Sequence, residues 1–190
     1  MKLLTNILMS VQMSVLQVPV VIALAVSEVR PATAADPTPI LSAVEVIAKH
    51  KSLIESKAHT FKRRCVPGDV KYREGEDRYA QTKAAFDSWI ETLKVALDLE
   101  VDFNDVPQFG STLNNAVTKA VAFSEFVDSL GERCSVISSI NLPATIALIA
   151  KDLMEAAVEL RKQYVNEKNE GKDRIKKDLD NLKLKPFEDT

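Results

Sequence analysis

Glycine and cysteine are scarce in this sequence. The 190 residues include five glycines, two cysteines and two histidines. The glycines are isolated, so they form neither a phosphate-binding loop nor the G-x-S-x-G turn of a serine hydrolase. The cysteines do not form C-x-x-C-H, which excludes covalently attached haem. These absences remove the common signatures of nucleotide, hydrolase and haem chemistry.

The ligand pattern of a carboxylate di-metal bundle is also missing. Such a site needs two E-x-x-H pairs and two further glutamates, and no E-x-x-H occurs here. Glu55 and His59 are four residues apart, a spacing more typical of a surface ion pair than of half a metal site. No spacing supports a haem held by Met154 with His50 or His59. We therefore predict neither a metal nor a cofactor.

Charge of one sign is not in excess. The chain has 25 basic and 27 acidic residues, for a net charge of −2 at pH 7. A nucleic-acid-binding domain usually concentrates basic residues on one face. The balance argues against a nucleic-acid partner.

The first 34 residues predict export. Lys2 precedes a mostly apolar run, and an A-x-A site ends at Ala34. This order is typical of a secretory signal peptide, here cleaved after Ala34, and it predicts a periplasmic or secreted protein. A retained membrane anchor is the alternative. Gln12, Gln17 and Pro19 interrupt the apolar run, however, and a membrane span needs about 20 apolar residues.

Four long helical patterns follow. The clearest covers 76–103, which contains neither glycine nor proline and repeats its large apolar residues at steps of three, four and seven. Similar patterns cover 39–63, 111–130 and 143–164, with glycine or proline at the boundaries. We predict an all-α fold in which 35–170 form an antiparallel up-down-up-down four-helix bundle.

Residues 171–190 form a charged, amphipathic extension with a short helical pattern. Its apolar residues alternate with lysines and aspartates. Two arrangements remain open: the extension folds back over the end of the bundle, or it docks into a partner's groove as an amphipathic helix. Its mixed charge does not favour a membrane surface, where the polar face is usually basic.

The two cysteines predict one disulfide. Cys65 follows the first helix and Cys134 ends the third, and these two ends lie on the same side of an up-down-up-down bundle. In an exported protein an even pair is most simply a disulfide. Two buried thiols are the alternative if the chain stays in the cytosol.

Binding is the function that these patterns favour. We predict an exported, non-catalytic binding protein whose partner is another protein. It would act as an inhibitor or immunity protein, an envelope adaptor or an accessory subunit. Tyrosine is favoured at interfaces, and the extension presents an apolar face. The partner-binding candidates are therefore Tyr72, Tyr79, Ile175, Leu179, Leu182 and Phe187.

Two other functions stay open. Lys51, Arg78 and Lys83 would line a polar pocket between helices in a small-molecule enzyme or sensor, with electrostatic chemistry like that of the all-helical chorismate mutases. The wider pattern of that family is not found, and a solvated helix face would carry the same residues. The other function is a structural bundle tethered to a membrane through 7–26. Converging charges in an enclosed pocket would favour the enzyme or sensor. A solid core and an exposed apolar patch near the first loop or the C-terminal extension would favour the binding protein.

Overall fold

A computed structural model describes residues 38–137 and 143–190, and the predicted signal peptide lies outside these ranges. The described residues are helical and contain no strand, which confirms the predicted all-α class. Within these ranges, three short 3-10 turns accompany five α-helices. The α-helices are α1 (Thr38–Arg64), α2 (Tyr72–Leu99), α3 (Phe109–Asp128), α4 (Pro143–Asn166) and α5 (Asn169–Asn181).

None of the helices within the described ranges has both the length and the apolar character that a membrane crossing needs.

The α2 helix begins earlier than its sequence pattern predicts. It includes Gly75, which the sequence places at a boundary. The ring of Phe61 occupies the space that a side chain at position 75 would need, which explains why this helical position is a glycine. At its other end, Glu100 adopts a left-handed conformation with φ of 53° and its N–H bonds the carbonyl of Leu97. Asp102 then accepts a hydrogen bond from the N–H of Asn104 and starts a separate 3-10 turn. The helix therefore ends at Leu99.

The core lies between the apolar stripes of α1 to α4. Tyr79 near the start of α2 packs edge-on against Phe123 near the end of α3, with 5.5 Å between ring centroids. The hydroxyl of Thr82 reaches across the same interface to the carbonyl of Lys119 at 3.1 Å. Trp89, the single tryptophan of the chain, is completely buried. An aromatic pair and a side-chain hydrogen bond thus join α2 to α3.

The C-terminal extension folds back onto the helices, which is one of the two arrangements that the sequence leaves open. Ile175 and Leu179 on α5 are fully buried. Beyond α5, the N–H of Leu184 donates to Asp87 on α2 at 2.9 Å. The ring of Phe187 packs against Tyr79 at 5.4 Å. Residues Asp36–Thr190 form one compact unit, so the extension shares the core of the other helices.

The predicted disulfide between Cys65 and Cys134 is present. Their Cα atoms are 4.9 Å apart and the bridge spans 69 positions of sequence. Arg64 reinforces the same junction by donating to the carbonyls of Val127 and Leu130 at 2.8 and 2.7 Å. The C-terminal ends of α1 and α3 are therefore joined by one covalent bond and two hydrogen bonds.

Candidate functional site

A partly open apolar cavity lies between α1, α3 and α4. Its volume is about 240 Å³, and Phe86 of α2 contributes to its lining. An apolar cavity of about 150 Å³ is large enough to take up a benzene-sized molecule. The apolar lining consists of Leu53, Ile54, Phe86, Ala116, Val117, Ala120, Val121, Ile149 and Leu153.

The cavity exists because α3 carries small side chains where α1 and α4 approach it. Ala116, Ala120 and Ser124 follow one another at intervals of four, so they lie in one row along the helix. Ala116 and Ala120 are buried. Because each side chain is a single methyl group, neither projects far enough to fill the space between the three helices. Larger residues at these positions would close the cavity.

An ion pair marks the rim of the cavity. The amine of Lys57 on α1 donates to the carboxylate of Asp128 on α3 at 2.5 Å, and both side chains are about one third exposed. Each group neutralises the charge of the other. This part of the rim therefore offers no unbalanced charge to an incoming molecule.

His50 of α1 lies between this cavity and a second groove. It lines both spaces and is only 9 % exposed. Its Nε2 lies 3.9 Å from Oδ2 of Asp152, which is beyond hydrogen-bonding distance. Burial lowers the pKa of His50, Asp152 opposes this shift, and Lys49 adds to it. The imidazole is therefore mainly neutral at pH 7.

The second groove runs between α1 and α4 and is rich in carboxylates. Asp152, Glu155 and Glu159 line it from α4, at intervals of three and four residues. Lys49 contributes a cation from α1. Together the two spaces join an apolar cavity to a mainly acidic groove, with the neutral imidazole of His50 at their boundary.

The structure distributes the predicted partner-binding residues through the fold. Ile175, Leu179 and Leu182 are buried beneath α5, and Tyr79 is fully buried in α2. Tyr72 and Phe187 are half-buried and contact each other, with 6.5 Å between ring centroids. These side chains stabilise the fold in this arrangement, and a partner that bound the four buried ones would have to displace α5 and the chain end.

The residues of the predicted polar pocket each have their own acceptor. Lys51 donates to the carbonyl of Asn181 at 2.8 Å. Arg78 donates to Glu74 at 2.9 Å, and Lys83 donates to Asp87 at 2.5 Å. None of the three lines the cavity described above. Their local pairing gives them a structural role, and a ligand-binding role for them stays a prediction.

Sequence reasoning missed the residues that form the cavity. His50 was considered only as a haem or metal ligand, and Leu53 falls outside the apolar stripe predicted for the first helix. A visible signal was the row of small residues at Ala116, Ala120 and Ser124 on one face of α3. Within the described ranges, no three His, Cys, Asp or Glu side chains are grouped so that they could hold a metal ion.

Comparison of the chain with protein-family models, with curated proteins and with solved structures finds no match. The site is therefore interpreted from its own geometry.

Proposed function

We propose that this protein is an exported, non-catalytic binding protein whose site is the apolar cavity between α1, α3 and α4. The observation that carries the proposal is a cavity of about 240 Å³ with a mostly aliphatic lining and the ion pair of Lys57 with Asp128 at its rim. Burial of an apolar group in such a space is favourable by about 25 cal/mol per Å² of apolar surface. A bound molecule would replace the water that otherwise contacts this surface.

The proposed architecture is an up-down-up-down four-helix bundle with α5 packed against α2 and α4. The contact between Tyr79 and Phe123 supports an antiparallel α2–α3 pair, because it joins the start of one helix to the end of the other. Val46 near the start of α1 and Glu159 near the end of α4 border the same groove, which supports an antiparallel α1–α4 pair. In this arrangement the cavity lies where the α1–α4 pair faces α3.

Binding of a neutral, apolar fluorophore tests the proposal. N-phenyl-1-naphthylamine emits strongly only in apolar surroundings, so the purified protein should give a saturable rise in its emission. The variant Ala120→Leu should weaken binding by about tenfold or more. Its three added carbon atoms would fill space that the probe otherwise occupies. Each methylene-sized part of the probe that can no longer be buried weakens its binding free energy by about 0.8 kcal/mol.

Two controls make this test specific. Ala80→Leu adds the same atoms to an exposed position on α2 and should leave the affinity unchanged. Thermal unfolding of Ala120→Leu should show a folded protein, since the new side chain enters existing space. A wild-type protein that produces no saturable emission, or equal affinities for Ala120→Leu and Ala80→Leu, would contradict the proposed site.

A protein partner is a second candidate function, supported by an exposed aliphatic patch beside the disulfide. Val66 and Val70 lie in the α1–α2 loop just after Cys65, and Val70 is 94 % exposed. Val136 and Ile137 lie just after Cys134 and are also exposed. The bridge between the two cysteines brings these aliphatic residues to one end of the fold. Exposed apolar patches on soluble proteins often mark interaction sites.

This second function would be tested with the double variant Val70→Asp/Val136→Asp. It should lose a specific partner that wild type captures from envelope or culture fluid. Val95→Asp, at an exposed position on α2, should retain the partner. Equal capture by both variants would exclude the patch, and the cavity variant Ala120→Leu serves to separate the two candidate surfaces.

A further inference from the structure

We propose that the cavity takes an amphiphilic amine, with its apolar body between α1, α3 and α4 and its ammonium group in the acidic groove beside His50 and Asp152. This inference rests on the proposed function and specifies the chemical class of the ligand. It is carried by the side chain that the two spaces share and by the unequal distribution of charge around them.

His50 provides the connection between the two spaces. It borders the cavity with Leu53 and Ile54, and it borders the groove with Lys49 and Asp152. The imidazole Nε2 and Oδ2 of Asp152 are 3.9 Å apart, too far for a direct hydrogen bond. An ammonium group has three donors, so one lying beside this pair would be able to donate to the carboxylate and to the imidazole nitrogen at the same time.

The charge of the groove favours a cation. Three carboxylates line it from α4, whereas Lys49 is the single cation among the described residues of its lining. Glu155 and Glu159 have lysine partners on α4 itself, Lys151 at 3.8 Å and Lys162 at 3.3 Å. Those pairs are largely exposed, and pairs of this kind contribute only about 0–1 kcal/mol. Among the described residues, the charged partner of Asp152 is His50, which is mainly neutral at pH 7, so this carboxylate is the one that an ammonium group beside His50 would meet.

The ion pair at the cavity rim does not favour an anion, and Glu125 adds a further carboxylate to the cavity lining. Lys57 is already bonded to Asp128 at 2.5 Å. A carboxylate ligand would have to compete with Asp128 for this amine, and at the opposite end it would face Asp152 and the two glutamates. Both ends thus discriminate against an acidic amphiphile.

A set of three ligands with the same chain and different head groups tests this inference. Octylamine, octanol and octanoate carry a positive, a neutral and a negative head group at pH 7.5, and each is titrated against protein loaded with N-phenyl-1-naphthylamine. Octylamine should displace the probe at about fivefold lower concentration than octanol, since one partly exposed ion pair contributes up to about 1 kcal/mol. Octanoate should be the weakest of the three. The advantage of the amine should shrink as the salt concentration rises.

Charge-neutralising variants locate the head group. Asp152→Asn should reduce the octylamine affinity by about threefold to fivefold and leave the octanol affinity unchanged. Asp173→Asn removes the same charge from an exposed position on α5 and should change neither affinity. A simple loss of protein charge would affect both variants equally.

The outcomes separate this inference from the proposed function. If the probe binds but octylamine is no better than octanol, or octanoate is the tightest of the three, the amine assignment is overturned and the apolar site remains. If the probe itself does not bind, the site is overturned as well. An amine preference that Asp152→Asn leaves intact would also overturn the assignment, because the ammonium group would then lie elsewhere.

Discussion

The hydroxyl of Tyr79 on α2 donates a hydrogen bond of 2.9 Å to the carbonyl oxygen of Lys185, 106 positions further along the chain. Tyr79 is otherwise surrounded by the core, where its ring contacts Phe123 and Phe187. Burial raises the pKa of Tyr79 well above its ordinary value, and the carboxylates of Glu55 and Asp87 add to the shift. The hydroxyl therefore stays protonated and remains a donor throughout the physiological range. This bond fixes the chain end onto α2.

The first prediction concerns this attachment. Leu179→Ala should lower the free energy of unfolding by about 2–5 kcal/mol, because Leu179 is fully buried between α5 and the other helices. Tyr79→Phe should cost about 1 kcal/mol through the lost hydrogen bond. Urea denaturation followed by circular dichroism measures both. A cost below about 0.5 kcal/mol for Leu179→Ala would mean that α5 is detached in solution.

The second prediction concerns the disulfide. In the chain-entropy model, removing the bridge lowers the free energy of unfolding by about 4 kcal/mol for a loop of this length. The double variant Cys65→Ala/Cys134→Ala should therefore unfold at a markedly lower urea concentration than the oxidised protein. Non-reducing mass spectrometry after treatment with an alkylating agent gives the redox state directly. Two alkylated cysteines in the native protein would rule out the bridge.

The third prediction concerns Trp89. The indole is completely buried and packs edge-on against Phe86 at 5.7 Å. Trp89→Ala should cost about 3–5 kcal/mol because it leaves a large cavity. Trp89→Phe should cost less, because it keeps an aromatic ring and removes an indole N–H that has no hydrogen-bond partner among the described residues.

Fluorescence provides the measurement for the wild-type protein. Trp89 is the single tryptophan in the chain, so its emission should lie at short wavelength in the folded state and move to longer wavelength on unfolding. Native emission at the wavelength of the unfolded protein would place the indole at the surface instead.

The fourth prediction is a pH dependence of stability. Burial holds the pKa of His50 below its ordinary value of 6.5, so the unfolded chain binds a proton more readily than the folded one. Neutral His50 makes its full contribution to the free energy of unfolding above pH 6.5. This contribution decreases as the pH falls from there through the folded-state pKa. The free energy of unfolding should therefore decrease as the pH falls below about 6.5, a decrease that begins above the range in which ordinary carboxylates titrate.

Two histidine variants isolate this effect. His50→Gln should flatten the decrease in that pH range. His59→Gln, at an exposed position of the same helix, should keep it. The same slope in all three proteins would show that His50 is not the group responsible.

The sequence predicted the helices well because a helical pattern is local. Steps of three and four in α2 require no knowledge of what packs against them. The large apolar residues at these steps, Tyr79, Phe86, Trp89, Ile90, Leu93 and Leu97, are buried as expected. The predicted helix boundary at Gly75 was wrong because the role of this glycine depends on a tertiary contact. A glycine usually interrupts a helix, but here it accommodates the ring of Phe61 from another helix. Only the packing of α1 against α2 reveals that role.

The candidate site depended still more on tertiary structure. The row at Ala116, Ala120 and Ser124 was visible in the sequence, but a row of small residues can as easily allow close helix packing as leave a cavity. The outcome depends on the volumes that α1 and α4 bring opposite that row. The position of His50, which borders both the cavity and the acidic groove, likewise follows from how two helices meet.

By itself, the sequence determined the helical class and the single way in which its two cysteines can pair, because both depend on spacing and number along one chain. The tertiary structure decided that α5 packs onto the core and that an apolar space remains between three helices. Those features arise where side chains from distant segments of the chain come into contact. The sizes and charges of such side chains do not form a periodic pattern that can be recognised in the sequence.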